Sequence, residues 1–221
     1  MAAISSKGVG LIEGKPLGQS VSSADAAATL KVAPAGMVDA SAIVDIIAEA
    51  FANDPTWSWA FPNPTVRKRW WEFCVNGALR YPWILKTEGY EVVSVWIPPS
   101  GSEFTDVDMQ RVPNFLQESL GYRAPEVTEL LNRFDQSHPR GEPHYYLSLL
   151  ATADSHRGRG LGMALLSENL ARIDVEGMPA YLESSNPLNN HRYEALGFAS
   201  VTRFQAPGNG PVVTGMWRDG R

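Results

Sequence analysis

Apolar residues at Ile43, Ile46, Ile47, Ala50 and Phe51 recur with i, i+3, i+4, i+7, i+8 spacing. That period predicts a helix with one buried face, beginning at Asp39 and ending before Asn53-Asp54-Pro55. Residues 55–64, with Trp57, Trp59, Phe61 and three prolines, read as an aromatic-rich loop. A second helix is predicted over about 65–80, its buried side marked by Trp70, Trp71, Phe73 and Cys74. The run Tyr-Glu-Val-Val-Ser-Val-Trp-Ile at 90–97 predicts a strand closed by Pro98-Pro99-Ser100-Gly101. Two helical stretches follow, roughly 105–120 and 124–136, joined by Gly121-Tyr122-Arg123.

The C-terminal half alternates more sharply. Residues 144–152 predict a strand, Met163 to about Ile173 a helix, 179–184 a strand and 187–196 a short helix. Two final strands near 198–206 and 211–217 flank the turn Pro207-Gly208-Asn209-Gly210. Mixed helices and strands with a late hairpin predict an α/β or α+β layered fold around one sheet. Residues 1–30 are rich in Ser, Ala and Gly and nearly without large apolar side chains after Leu11 and Ile12, so a flexible tail is expected there. Residues 31–221 are expected to form one domain.

Composition narrows the function classes. The chain has 221 residues, 44% of them hydrophobic, enough to bury a core without covalent staples. Nineteen basic against 24 acidic residues leave a net charge of -5, which argues against nucleic acid and anionic membrane as partners. The single cysteine, Cys74, excludes an internal disulfide and a multi-cysteine zinc site. The histidines His138, His144, His156 and His191 show no metal-binding spacing, so no metal is expected. Residues 1–30 lack a signal-peptide core and no apolar run is long enough to span a bilayer, so a cytoplasmic protein is expected. A monomer or a homodimer fits equally.

Chemistry is concentrated between the strand at 144–152 and the helix after it. Gly158, Gly160 and Gly162 alternate there, flanked by Arg157 and Arg159. Glycines let a chain turn sharply and let a ligand approach backbone N–H groups, and a helix N-terminus adds unpaired donors and a positive dipole end. The pattern therefore suits a phosphate or pyrophosphate, with a plain strand-to-helix turn as the alternative. No Lys-Ser/Thr follows the glycines, which excludes a P-loop. Met163 stands where a dinucleotide fingerprint needs its third glycine, which excludes that motif as well.

Leu150-Ala151-Thr152, then Arg157-Gly158-Arg159-Gly160-Leu161-Gly162, then Tyr193-Glu194-Ala195-Leu196-Gly197-Phe198 resemble, in type and spacing, the GCN5-related N-acetyltransferase superfamily. Leu182-Glu183-Ser184-Ser185, Asn189 and the Tyr-Glu-x-x-Gly-Phe block look most like its puromycin N-acetyltransferase branch. Ala48-Glu49-Ala50-Phe51 with Asp54-Pro55, and Val95-Trp96 with Pro98-Pro99, resemble its N-terminal half. The resemblance spans about residues 31–217. It implies a mixed, mostly antiparallel central sheet flanked by helices, with the cofactor at splayed central strands. It further implies acetyl-CoA as co-substrate and direct transfer to an amine.

Under that resemblance, backbone groups of Leu150, Ala151 and Thr152 hold the pantetheine arm, and Arg157 to Gly162 cradle the pyrophosphate. Thr152 stands where the family more often has Val. Tyr193 becomes the general acid for the departing thiolate, since a phenol of pKa about 10 suits a leaving group of similar basicity. Its alternative is packing beside Leu196 and Phe198. Asn186 and Asn189 are expected to contact the arm, although Asn186-Pro187 is equally a helix start. Glu183 is the candidate base for the acceptor ammonium, with Glu142 and His144 behind it; an ordinary locally paired carboxylate is the alternative.

For the acceptor, a small-molecule amine, Trp57, Trp59 and Phe61 offer an aromatic wall and Asp54 a charge partner. The alternative is that these aromatics fill a core. A peptide or protein amine, or a non-catalytic acyl-CoA-binding domain, are the competing functions.

Overall fold

The computed structural model describes residues 30–221, so the expected tail lies, but for Leu30, outside the described residues. Seven strands make one sheet in the order β1 (Val32–Pro34), β2 (Ile84–Thr87), β3 (Val92–Ile97), β4 (Tyr145–Thr152), β5 (Ala180–Ser184), β7 (Val212–Arg218), β6 (Ala199–Gln205). Neighbours are antiparallel except β4 and β5, which run parallel. β1 and β2 were not expected from the sequence: strands of three and four residues are too short to display a period.

The two sheet faces carry separate cores. On one, Val93, Val95, Ile97, Leu149 and Ala151 meet α1 (Ala40–Ala50), α3 (Pro64–Ala78), α4 (Asp106–Leu120) and α5 (Ala124–Ser137). The predicted stripe of α1 is buried there, Ile43 and Ile47 completely, and each such side chain contributes about 2 kcal/mol. On the other face Trp96, Leu147, Leu182 and Met216 meet Leu166, Leu170 and Ile173 of α6 (Leu161–Val175). β3 is therefore buried on both sides, which explains its unbroken run Val-Val-Ser-Val-Trp-Ile.

Polar anchors fix α6. Asn169 is fully buried, and its Oδ1 accepts from Ser94 Oγ at 2.6 Å and Trp96 Nε1 at 2.9 Å. Near the helix end, Arg218 donates to both oxygens of Asp174 at 2.7 Å, which holds that carboxyl below the usual range. These ties set where the head of α6 lies, and with it the glycine loop.

Of residues 55–64, expected as a loop, only 61–63 are one. Pro55–Ala60 is helix α2 and α3 starts at Pro64. Asp54 and Asn63 each accept hydrogen bonds from the first turn behind them, and each is followed by proline at the first helical position. Both Asx-Pro pairs were helix starts, because proline lacks only an N–H that has no partner there.

Candidate active site

β4 and β5 are paired only from Tyr145↔Ala180 to Leu147↔Leu182. Beyond that point β4 stays on β3 and β5 stays on β7, so the sheet opens as a wedge. The cause lies in β4: Val95 pairs with Leu149 and Trp96 with Leu147, leaving Ser148 as an extra residue. Such a bulge bends and twists its strand, and here it turns β4 away from β5. A lone serine in the apolar run Tyr145–Ala151 was the visible sign of it.

The bulge also decides which backbone groups face the wedge. Ala153 N–H donates to Glu91 O at 2.9 Å, so by ladder alternation Ala151 and Leu149 turn their backbone toward β3. Leu150 and Thr152 turn theirs into the wedge. Ala151 was expected to contact a bound arm along with them, but its backbone is committed to β3 and its side chain to the core.

Between β4 and α6 runs the glycine loop. Gly158 and Gly160 have φ of +78° and +76°, the left-handed region that glycine enters without strain. Nothing lies within 4 Å of a Cβ built at either, so the space outside both is open. Gly160 caps α6 without any side-chain acceptor, which leaves the first-turn N–H groups pointing at that space. A Cβ at Gly162 would stand 3.0 Å from Thr152 Oγ1, so this glycine lets the helix head approach the end of β4.

Arg159 is exposed and makes no ion pair with the described residues. Arg157 was expected to open the pyrophosphate cradle. Its Nε is 2.6 Å from Asp154 and its Nη2 donates to Ala50 O at 2.8 Å, so its side chain closes the end of α1 instead. Leu161 packs against the small core around Leu85, Val92 and Leu165.

Past β5, Asn186 Oδ1 accepts from Leu188 N–H at 3.1 Å and caps the single turn Pro187–Asn189, which leads into α7 (Asn190–Glu194). The helix-start alternative for Asn186 is thus realised. Asn189 forms no side-chain hydrogen bond with the described residues. Tyr193 packs its ring at 6.3 Å from Phe198, and its hydroxyl has no hydrogen-bond partner among the described residues. Burial, with the nearby negative charge of Asp54, pushes its pKa up to about 12. It remains a protonated donor at every working pH.

Glu183 lies on the α5 side of the wedge with its side chain 3% exposed, and its Oε1 lacks a hydrogen bond. His138 Nδ1, just after α5, is 3.6 Å away. Glu103, in the β3–α4 connection, accepts from the bulge residue Ser148. Burial and the neighbouring Glu183 raise the Glu103 carboxyl to about 7 against the favourable Ser148 bond. Tyr146 and Tyr181 close the group, their phenols raised first by burial and then by Glu183. Sequence reasoning found Glu183 but missed Glu103, His138, Tyr146, Tyr181 and Ser148, which come from separate segments.

Trp57, Trp59 and Phe61 were expected to wall the acceptor side. Phe61 is fully buried, 5.2 Å from Trp70 between ring centres. Trp57 stacks on Phe134 at 5.6 Å and meets Trp71 edge-on at 5.1 Å, and Arg123 lies over Trp59 at 5.2 Å. Phe61 is core, and Trp57 and Trp59 are half-buried side chains packed against it. Asp54 caps α2 through Oδ1, 3.0 Å from the N–H groups of Thr56 and Trp57. Its Oδ2 accepts from Ser185 Oγ at 2.7 Å, and burial raises its pKa. With both oxygens engaged it is not the free charge expected for an acceptor amine.

Among the described residues no helix is long and apolar enough to cross a membrane, and no three His, Cys, Asp or Glu side chains gather to hold a metal.

No protein-family model matches the chain. Solved structures do. A structure described as histone acetyltransferase HPA2 and related acetyltransferase, from Corynebacterium glutamicum, is 25% identical with a TM-score of 0.59, over 87% of this chain and 97% of that one. A mosquito arylalkylamine N-acetyltransferase, like 5b, is 13% identical with a TM-score of 0.59, over 86% of this chain and all (100%) of that one. The ribosomal-protein-S18-alanine N-acetyltransferase of Escherichia coli is 17% identical with a TM-score of 0.50, over 86% and 92%.

Proposed function

This chain has the fold of the GCN5-related N-acetyltransferases, and from that premise we propose that it moves an acetyl group from acetyl-CoA directly to the amine of a small molecule. The observation that carries the reading is the β4–β5 wedge opening beside a left-handed glycine turn at the head of α6. Glu183 stands on β5 and Tyr193 on α7, the helix that follows β5 in the chain.

The residues fit the co-substrate. Open space outside Gly158 and Gly160, with uncapped N–H groups behind it, suits a pyrophosphate. The loop Arg157–Gly162 would hold that group through its backbone, with Arg159 adding charge. Backbone groups of Leu150 and Thr152 would pair with the amides of the arm, and Asn189 would reach it from the β5 side. Acetyl-CoA supplies an activated thioester and needs no metal. An N–H directed into the wedge also stabilises negative charge on an acyl oxygen.

Glu183 takes the proton that an acceptor ammonium must lose before it attacks. Tyr193 hands a proton to the departing sulfur. The resemblance of Leu182–Ser185 and Tyr193–Phe198 to the puromycin N-acetyltransferases supports an antibiotic or a related amine metabolite as acceptor.

Thermal shift with acetyl-CoA tests the donor, with adenosine and NAD as controls. A ligand at 100 times its Kd stabilises by about 2.7 kcal/mol. Thiol release is then followed with puromycin, arylalkylamines and a lysine-rich peptide. A selective shift with turnover on a small amine supports the reading; turnover on the peptide alone replaces the acceptor class. No shift at millimolar acetyl-CoA removes it.

A further inference from the structure

Two histidines, His138 and the secondary base candidate His144, lie between Glu183 and the surface. His144 Nδ1 is 2.7 Å from the backbone carbonyl of Glu142, and His144 Nε2 is 3.1 Å from His138 Nε2. His138 Nδ1 faces Glu183 Oε1 at 3.6 Å, the His138 side chain is 26% exposed, and that of Glu183 only 3%.

The carbonyl sets the protons on both rings. A carbonyl only accepts, so His144 carries its proton on Nδ1 and keeps a lone pair on Nε2. Burial lowers the His144 pKa, which favours the neutral ring that this contact requires. The short Nε2···Nε2 contact then needs its proton from His138, so neutral His138 is protonated on Nε2. Its lone pair is left on Nδ1, the nitrogen turned to Glu183.

We propose that His138 is the proton outlet of Glu183 and that His144 and the Glu142 carbonyl hold it in the tautomer that can accept. This rests on the reading of Glu183 as the group that deprotonates the acceptor. The ammonium N–H bond breaks and Glu183 Oε1 gains the proton. Glu183 passes it to His138 Nδ1, forming an imidazolium and restoring the carboxylate, and His138 releases it to water. Transfer requires this 3.6 Å separation to shorten by under an ångström, as catalytic hydrogen bonds do on forming the reacting complex. The competent form has a free Nδ1 on His138. The groups facing this step are Glu103 from the β3–α4 connection, Tyr146 from β4, Tyr181 from β5, His144 itself and the Glu142 carboxylate. Both histidines act through Glu183 and are positioning residues.

The experiment joins nitrogen-15 imidazole NMR with steady-state kinetics. The NMR should find His138 protonated on Nε2 and His144 on Nδ1 in the wild type, and His144→Phe should abolish the His138 preference. His138→Ala should lower kcat about tenfold to hundredfold with the amine KM unchanged, and added imidazole should restore it. His138→Gln keeps the packing and should show the same loss without rescue. If the wild type turns over but His138 carries its proton on Nδ1, or both variants keep full kcat and the wild-type pH profile, the outlet is refuted and the acetyltransferase reading stands. If the wild type turns over no amine with acetyl-CoA, that reading falls and the outlet with it.

Discussion

Ser185 donates its hydroxyl to Asp54 Oδ2 at 2.7 Å across 131 residues of sequence, and Thr56 Oγ1 returns a 2.7 Å bond to the Ser185 carbonyl. Two hydrogen bonds in opposite senses thus clasp the head of α2 to the end of β5, beside Tyr193. Asp54→Ala removes both the cap and one half of the clasp. A loss of about 2 kcal/mol in denaturant unfolding is expected. Asp54→Asn keeps a cap acceptor without the charge, so it should cost less and bring the Tyr193 phenol down from about 12.

Tyr193→Phe deletes a hydroxyl that has no partner among the described residues, so stability should hold within about 1 kcal/mol. Turnover should fall about a hundredfold or more while the Kd for acetyl-CoA stays unchanged. Unchanged kcat would remove Tyr193 as the acid.

Gly160→Val forces a β-branched residue into φ +76° and fills the open side of the loop. The strain should cost about 2 kcal/mol in stability, and acetyl-CoA binding by calorimetry should be lost. Gly208, also at positive φ but far along the β6–β7 turn, is the control: Gly208→Val should be destabilised similarly and still bind.

Glu103 binds a proton in the folded state up to about pH 7 but in the unfolded chain only up to about 4.5. Between those values the native protein holds more protons, so this group's contribution to stability falls as pH rises through the window. Glu103→Gln should flatten that fall. Relative to the wild type it should gain about 3 kcal/mol between pH 4 and pH 8 in denaturant melts. An equal pH slope in both proteins would contradict the assignment.

Trp57→Ala separates core from pocket. With Trp57 stacked among Trp70, Trp71 and Phe134, a loss of about 3 kcal/mol in stability is expected, and the amine KM of the folded fraction should not change. A rise in KM without loss of stability would return Trp57 to the acceptor side.

The sequence by itself determined what depends on neighbours along the chain. The α1 stripe, the buried run of β3 and the glycine turn before α6 are set by local period and local backbone freedom. The structure agrees at each. Tertiary structure decided the rest. Ser148 becomes a bulge only through its register with Val95 and Trp96, and the wedge follows from that bulge. Glu103, His138 and Glu183 belong to three segments that meet only when the α5 end and the β3–α4 connection pack over β5. Trp57 and Phe61 read alike as pocket or core, because an aromatic side chain carries no local mark of what covers it. Here α3, α4 and α5 do.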